Sequence, residues 1–452
     1  MGYWCKHPVS IIALLFIICP PLSIAKTIKV PRDIRKIQKA IDVAQDGDVV
    51  LISPGIYYEN LKWAGKSLRL ASKFYTTGKQ KYIEQTVIDG GGGTVIQVDP
   101  DADDSAITGL RIQNGSDGIL VFPSIHLSNN HIISNVDGVD YEGGGGRCIN
   151  NLIAYNLDDG IDLDGPSAVS ITNNTIRDNL DDGIEIRFHE YTGAVLNIEI
   201  RENLISRNDE DGIQLIDYPG LSERVFRIEH NLLIKNKMVG IGLMDNGETI
   251  EDFRGAAILE RVHLTNNTFV GNSHAVTGGA NLIALNNIFV DSKNIAIKNL
   301  KGDSIASYNL FWNNSTDYLD STIDLTNTIF EDPLLKTNYC LAEGSPAIDQ
   351  GTALFNWNGE TVLDMPSTSY SGKAPDMGAQ EYDEDSGGGC LPIGYDEPPG
   401  IQPVVQSSSS GCFVSTAVNA SKPKPHARLF LVLAKMIDDH LVSRWFSTVY
   451  WK

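Results

Sequence analysis

Short segments in which apolar and polar residues alternate recur along the middle of the chain, most of them introduced by Asp-Gly. The six segments are DGILVF (117–122), DGVDYE (137–142), DGIDLD (159–164), DGIEIR (182–187), DGIQLI (211–216) and VGIGLM (239–244). Alternation with a period of two is typical of a β-strand that buries one face. The pattern therefore predicts successive strands whose Ile, Val and Leu side chains point inward and whose charged side chains point outward.

An asparagine pattern repeats in step with these strands, as in NNHIISN (129–135), NNLIAYN (150–156) and NNTIRDN (173–179). A single repeat, made of one asparagine segment and one alternating strand, cannot bury an apolar face alone. The repeats must therefore stack as successive coils. Asparagine tolerates left-handed backbone geometry, and its side chain can bond a neighbouring backbone. We therefore expect one asparagine per coil to form a column at a tight corner. Its members would be Asn130, Asn151, Asn174, Asn203 and Asn231.

The repeat pattern resembles the right-handed parallel β-helix proteins of the pectate-lyase-like superfamily over residues 27–382. The segment 27–61 is similar to the opening of many members, with Ile37 and Ile41 at helical spacing and Asp33 in a position to cap the helix. At the other end, GSPAID and DMGAQEY resemble the closing segment of secreted bacterial members. The resemblance implies an all-β fold, a right-handed single-stranded parallel β-helix (solenoid) with an N-terminal helical cap.

The two ends of the chain differ from the repeats. Residues 1–25 combine a basic start, an apolar run and small residues before a cleavage point, which predicts a secretory signal peptide. We assign 26–383 to the β-helix domain, 384–411 to a Gly/Pro/Ser-rich linker and 412–452 to a tail with a candidate amphipathic helix. The expected product is a monomer that is secreted, periplasmic or on the cell surface, without a transmembrane segment in the mature chain.

Four cysteines remain after the predicted signal peptide. They are Cys148, Cys340, Cys390 and Cys412. Export permits disulfides, but so few cysteines in so long a chain do not make a disulfide scaffold. Cys390 and Cys412, which flank much of the linker, are the preferred pair, and four free thiols are the alternative.

The formal net charge of -21 and the pI near 4.8 narrow the range of partners. Such acidity argues against nucleic acid and anionic membranes as partners. It also disfavours a polyanionic substrate unless cations bridge the two. A bridging cation such as Ca²⁺ would therefore be needed for an acidic polysaccharide.

Carboxylates are concentrated on the outward face of four successive coils. Stacking places Asp140, Asp162, Glu185 and Gln214 in one ladder, with Glu142, Asp164 and Arg187 beside it, and Asp137, Asp159, Asp182 and Asp211 in a column at the preceding turn. Adjacent carboxylates ~5 Å apart on an exposed sheet face repel by roughly 3 kcal/mol at an effective dielectric near 20. Arg187, bound Ca²⁺ or water must offset this repulsion.

Paired carboxylates on adjacent coils suit glycoside hydrolysis. Pectate-lyase-like enzymes instead combine acidic Ca²⁺ ligands with a basic residue that removes the sugar C5 proton, a role for Arg187. The Gly-His-Gly and Arg-Ile-Lys motifs of polygalacturonase-like β-helices are absent from this sequence. The predicted residues are Asp162, Asp164, Glu185 and Arg187 for catalysis, Asp140, Glu142, His189 and Gln214 for substrate, and Asp159 and Asp182 for Ca²⁺.

Three functions are consistent with these features. The first is binding of an extracellular polysaccharide, with or without lyase or hydrolase activity, and the acidic ladder supports it. The second is a non-catalytic surface or adhesion protein, which the missing motifs favour. The third is a periplasmic accessory protein for metalloenzyme maturation, which rests only on the shared opening and repeats. The fold alone cannot separate them.

Overall fold

Three long parallel sheets run side by side through the computed structural model, which describes residues 25–382 and 393–394. From Val49–Ile52 to Thr316–Leu319, strands that follow one another in the chain enter different sheets, so that each full coil adds one strand to each sheet. This is the arrangement of a parallel β-helix, and it confirms the predicted all-β solenoid.

We name the sheets A, B and C. Sheet A contains Thr27–Val30, Val49–Ile52, Arg69–Ser72, Ala106–Thr108, Ser124–Ser128, Gly145–Ile149, Ala168–Thr172, Tyr191–Arg201, Ser222–Glu229, Arg261–Thr265, Leu282–Leu285 and Ile305–Ser307. Sheet B contains Gly55–Tyr58, Thr86–Asp89, Arg111–Gln113, His131–Ile133, Leu152–Ala154, Thr175–Arg177, Leu204–Ser206, Leu232–Ile234, Thr268–Val270, Ile288–Val290 and Leu310–Trp312. Sheet C contains Leu61–Trp63, Ile96–Val98, Asp117–Val121, Asp137–Glu142, Ile161–Asp164, Ile184–Phe188, Ile213–Asp217, Val239–Met244, His274–Thr277, Ile295–Lys298 and Thr316–Leu319.

The core runs along the inside of the coils and is built from side chains that stack on their register partners. In sheet C, Ile161 pairs with Ile184, which pairs with Ile213, and all three are fully buried. Phe269, Phe289 and Phe311 form a similar stack with ring centroids 5.0 Å apart. Burying such a side chain stabilises the fold by about 1.5–3 kcal/mol. The predicted inward and outward register of the six alternating segments is confirmed.

The helix Ile37–Val43 lies at the N-terminal end of the solenoid and buries Ile37 and Ile41 against the core. The expected Asp33 cap is wrong. The amides of Ile37 and Gln38 donate instead to the Glu59 carboxylate, at 3.0 and 3.1 Å, because the helix begins later than the sequence pattern suggests. Further helical turns are Phe74–Thr77, Lys81–Glu84 and the 3₁₀ turn Leu325–Asn327.

The predicted asparagine column is confirmed. The amide of Asn130 donates to Oδ1 of Asn151 at 2.9 Å, and the same bond links each asparagine to the next one along the column. The later members are Asn174, Asn203, Asn231, Asn267, Asn287 and Asn309. The left-handed backbone belongs to the residue before each column member, as at Asn129 and Asn150, with φ of 54° and 56°. The two tasks expected of one asparagine are thus divided between neighbours.

A second asparagine column, which the sequence interpretation does not single out, stabilises the next corner. Its amides and side chains are bonded in the same way, and every member is buried. The members are Asn135, Asn156, Asn179, Asn208, Asn236 and Asn272. The strands of sheet B lie between the two columns, so hydrogen-bonded asparagines stabilise the corner before and the corner after each of these strands.

The C-terminal part of the described chain packs on the outside of the solenoid. Met377 joins Ile288 and Leu310 over sheet B. The antiparallel hairpin Leu354–Trp357 and Glu360–Asp364 covers Ile283 and its neighbours on sheet A. No helix among the described residues has both the length and the apolar composition needed to cross a bilayer.

Cys340 is disulfide-bonded and Cys148 is a buried free thiol, so the alternative of four free thiols is wrong. The preferred pair, Cys390 and Cys412, lies outside the described residues. So do the predicted signal peptide, linker and tail, apart from positions 25, 393 and 394.

Candidate functional site

A ladder of acidic side chains crosses adjacent strands of sheet C. Asp140 pairs in register with Asp162, Asp162 with Glu185, and Glu185 with Gln214. We call these four residues the ladder. Glu142 and Asp164 are register partners beside it. The structure therefore brings together every predicted member of the ladder in the predicted order.

The ladder points away from the core, but it is not the open face that the sequence suggests. Asp162 is 9% exposed, Glu185 is 3% exposed and Gln214 is 0% exposed, whereas Glu142 is exposed. The expectation of an exposed row is wrong for Asp162, Glu185 and Gln214. Glu142 is exposed and Asp164 is partly exposed beside the ladder.

Arg187 is the cation that lies against the ladder. Its guanidinium contacts Asp162 Oδ2 at 2.7 Å, Asp164 Oδ2 at 3.5 Å and the Glu185 carboxylate. Of the three candidates for offsetting the repulsion, the structure shows this one. The same carboxylates raise the pKa of Arg187, although burial alone would lower it. A guanidinium held in this way is a poor general base.

Burial changes the protonation of the ladder. It raises the pKa of Asp140 from 3.8 to about 8, and the neighbouring Asp162 adds to the effect. Burial also raises the pKa of Asp162 to about 6 and that of Glu185 to about 8, while Arg187 lowers both. At neutral pH the ladder thus favours either a proton or a bound cation.

The turn column of aspartates is confirmed, and it has a structural task. Asp159 Oδ1 accepts the amide of Asp182 at 3.0 Å, Asp182 Oδ1 accepts the amide of Asp211 at 2.7 Å, and Asp211 Oδ1 accepts that of Val239 at 2.7 Å. Each carboxylate joins its coil to the next one. Burial raises the pKa of Asp159, Asp182 and Asp211 well above the ordinary value.

The column and the ladder together form groups of carboxylates that could hold a metal ion. Oxygens of Asp159, Asp162 and Glu185 lie within 4.8 Å of one another, and all three residues are buried. Asp162 Oδ1 has no hydrogen-bond partner among the described residues. An oxygen-only set of this kind suits Ca²⁺.

The two predicted metal ligands do not fall into one group. Asp159 groups with Asp162 and Glu185, whereas Asp182 groups with Asp181 and Glu210. The sequence interpretation assigns no ligand role to Asp158, Asp181 and Glu210, which complete the neighbouring groups. The repeated acidic residue before each turn aspartate was the available signal.

An aromatic pair lies at the end of the strand that carries Arg187. The rings of His189 and Tyr218 are 4.0 Å apart between centroids, and His189 is exposed. Tyr218 is close enough to Arg187 and Asp164 for their charges to act on its pKa, which burial raises. The sequence interpretation identified His189 but missed Tyr218, because Tyr218 follows the strand, where the repeat pattern ends.

Comparison with known proteins gives the class of the molecule. Residues 94–289 match the sequence model described as the right handed beta helix region. Among solved structures, pectate lyase Pel9A superposes with a TM-score of 0.54 at 16% identity, covering 76% of this chain and 90% of that chain. The chain therefore has the fold of a right-handed parallel β-helix.

Other superpositions are weaker. The PL6 family alginate lyase AlyGC gives a TM-score of 0.40 at 13% identity, over 68% of this chain and 51% of that one. The A-module of the Azotobacter vinelandii mannuronan C-5 epimerase AlgE6 gives 0.38 at 14% identity, over 66% of this chain and 94% of that one. A comparison with curated protein sequences finds no match.

Proposed function

We propose that the ladder face of sheet C binds an extracellular polysaccharide with the help of Ca²⁺ held by Asp159, Asp162 and Glu185. The observation that carries the proposal is the convergence of these three buried carboxylates within 4.8 Å, with Asp162 Oδ1 left without a partner among the described residues. Bound there, Ca²⁺ would supply positive charge to which sugar hydroxyl or carboxylate oxygens can coordinate.

The surface around this group suits a sugar polymer. The paired rings of His189 and Tyr218 offer an apolar platform of the kind on which ring carbons can pack. Glu142 and Asp164 supply hydrogen-bond acceptors beside it. The fold that the chain shares with a pectate lyase makes an acidic polysaccharide the first ligand class to test.

A second candidate, hydrolysis, is favoured by the separated pKa values of two neighbouring carboxyls. Asp162, with a pKa of about 6, and Glu185, with a pKa of about 8, are register partners and resemble a base and acid pair. Elimination is less well supported, because the carboxylates around Arg187 keep its guanidinium protonated. Asp162 and Glu185 cannot hold a cation and transfer protons at the same time. Ca²⁺ should therefore promote polysaccharide binding and inhibit hydrolysis, which distinguishes the two candidate functions.

A polysaccharide array probed with Ca²⁺ and with chelator tests the proposal. Binding predicts retention in Ca²⁺ that chelator abolishes, with no new chain ends. Glu185→Gln should lose this retention, and Glu331→Gln, a matched change at an exposed acid, should keep it.

The other outcomes are equally informative. Reducing ends that appear in chelator and decline in Ca²⁺ would favour hydrolysis by Asp162 and Glu185. Unsaturated ends would indicate elimination and would support Arg187 as the base. Absence of both retention and new ends, with acidic and neutral polysaccharides alike, would overturn the proposal.

A further inference from the structure

A long insertion connects Val239–Met244 of sheet C to the next strand, Arg261–Thr265 of sheet A. We call residues 245–260 the insertion loop. Glu251, near its middle, is only 5% exposed, although the adjacent Ile250 is 62% exposed. The loop thus presents an apolar side chain to solvent and directs a carboxylate onto the sheet. This reverses the usual preference and requires a reason.

The insertion loop is anchored on both sides of Glu251. The amide of Gly247 donates to Asp217 O at 2.9 Å, and the amide of Ala256 donates to Leu243 O at 2.7 Å. Lys298 Nζ donates to Phe253 O at 2.7 Å. The position of the Glu251 carboxylate is therefore fixed by the backbone on either side.

Glu251 meets Asp211, the last member of the turn column, in the space above Gly242. Asp211 Oδ2 lies 2.0 Å, and Glu251 Oε2 lies 2.4 Å, from the point that a Cβ on Gly242 would occupy. Neither oxygen accepts a hydrogen bond from an N–H or hydroxyl donor among the described residues, and the two carboxyl groups lie within hydrogen-bonding reach of each other. Two facing carboxylates require a shared proton or a cation between them. Glycine at 242 leaves the room for either.

Two further polar groups flank the same space. Gly242 pairs in register with Gln214 on one side and with Thr277 on the other, so both side chains project on the same face of sheet C. Both residues are 0% exposed, and the Gln214 amide atoms and Thr277 Oγ1 have no partner within the described chain. A shared proton would satisfy Asp211 and Glu251 but would leave Gln214 and Thr277 unpaired.

We propose that Asp211, Glu251, Gln214 and Thr277 form a second divalent-cation site, which takes Ca²⁺ and fastens the insertion loop to sheet C. Two carboxylates, an amide oxygen and a hydroxyl make an oxygen-only donor set. The site is distinct from the Asp159, Asp162 and Glu185 group, and Gln214 lies between the two. The proposal goes beyond the proposed function and does not depend on it.

Calorimetric titration of the full chain with Ca²⁺, after chelator treatment, tests the second site. The wild type should titrate with two classes of site. Glu251→Gln should lose one class and Asp162→Asn the other, because the two changes remove ligands from different groups. Glu248→Gln, an exposed acid on the same loop, should keep both. If the titration of Glu251→Gln matches that of the wild type, the second site is overturned, whatever Asp162→Asn shows.

Gly242→Ala is the second variant, because its methyl group would fill the space without changing any charge. If Gly242→Ala and Glu251→Gln lose the same class of Ca²⁺ site, the assignment of the second site is supported, even if one of the two variants is less stable than the wild type. Retention of that class in folded Gly242→Ala would contradict it.

Tryptic cleavage after the exposed Arg254 reports on the loop itself. Ca²⁺ should slow this cut in the wild type, in Glu248→Gln and in Asp162→Asn, but not in Glu251→Gln, with fragments identified by mass. Cleavage that responds to acidification and not to Ca²⁺ would show that Asp211 and Glu251 share a proton instead, and would overturn the cation site.

Discussion

Arg187 reaches diagonally from its own coil to Asp162 on the preceding coil, with 2.7 Å between Nη1 and Oδ2. The register partner of Asp162 is Glu185, two residues before Arg187, and the same guanidinium also contacts it. The Arg187 side chain thus links carboxylates from two coils. Both the stability of the ladder and its net charge therefore depend on Arg187.

Replacing Arg187 with Met should destabilise the protein by roughly 3 kcal/mol, because removing one partner of a buried ion pair leaves the remaining charges uncompensated. Urea unfolding in the presence of chelator measures the change. Arg254→Met, which removes an exposed guanidinium paired with Asp252, is the control and should change little. Equal midpoints for the two variants would contradict the central role of Arg187.

Stability in chelator should fall as pH rises from about 4 to about 8. The folded pKa values of Asp140 and Glu185 are raised to about 8, above the ordinary 3.8 and 4.5, so the folded state binds more protons than the unfolded state across this interval. The stabilisation is complete below the ordinary pKa values and is lost through about pH 8. Thermal midpoints across that range measure the slope, and Asp140→Asn should reduce it. A midpoint that rises with pH in chelator would contradict the raised values.

Ca²⁺ should raise the thermal midpoint, and most strongly at the alkaline end of that range, where the carboxylates are ionised. A ligand that binds only the folded state stabilises it by about 2.7 kcal/mol at a hundred times its dissociation constant. Asp162→Asn should fold, with equal or greater stability in chelator through lost repulsion, but should respond less to Ca²⁺. Melting curves of the wild type that coincide in chelator and in Ca²⁺ would show that Arg187 and protons suffice.

Asn179→Ala should cost about 3 kcal/mol. Asn179 Oδ1 accepts both the amide and the side-chain nitrogen of Asn156, at 3.2 and 2.9 Å, and these buried donors would be left unpaired. Chemical unfolding measures the loss. Asn338→Ala, at an exposed position, should change little. A similar loss in both variants would mean that the second column is not a special source of stability.

The positions of residues inside the repeat could be predicted from the sequence. The repeat period sets which residues stack on one another, and the alternation sets whether each side chain points inward or outward. The period predicts that Asp162 and Glu185 are neighbours, and the register confirms it. Their burial could not be predicted, since it depends on how the Arg187 side chain folds back over the ladder.

Residues outside the repeat carry no such signal. Glu251 reaches Asp211 from an insertion whose length interrupts the period, so no spacing argument connects them. Tyr218 lies one residue beyond its strand, Ile213–Asp217, where the alternating pattern no longer predicts the side to which a side chain points. The division of Asp159 and Asp182 into separate groups also follows from side-chain directions that a repeat alone does not specify.

The two asparagine columns make each coil an interchangeable module. A coil presents the same bonding groups to the coil before it and to the coil after it, at both corners beside sheet B. Whole coils could therefore be duplicated or lost in evolution without creating a mismatched junction, whereas gain or loss of a few residues in a strand would break the match. Such events outside the four coils that carry the ladder would change the length of sheet C in steps of one strand and leave the chemistry of the ladder intact.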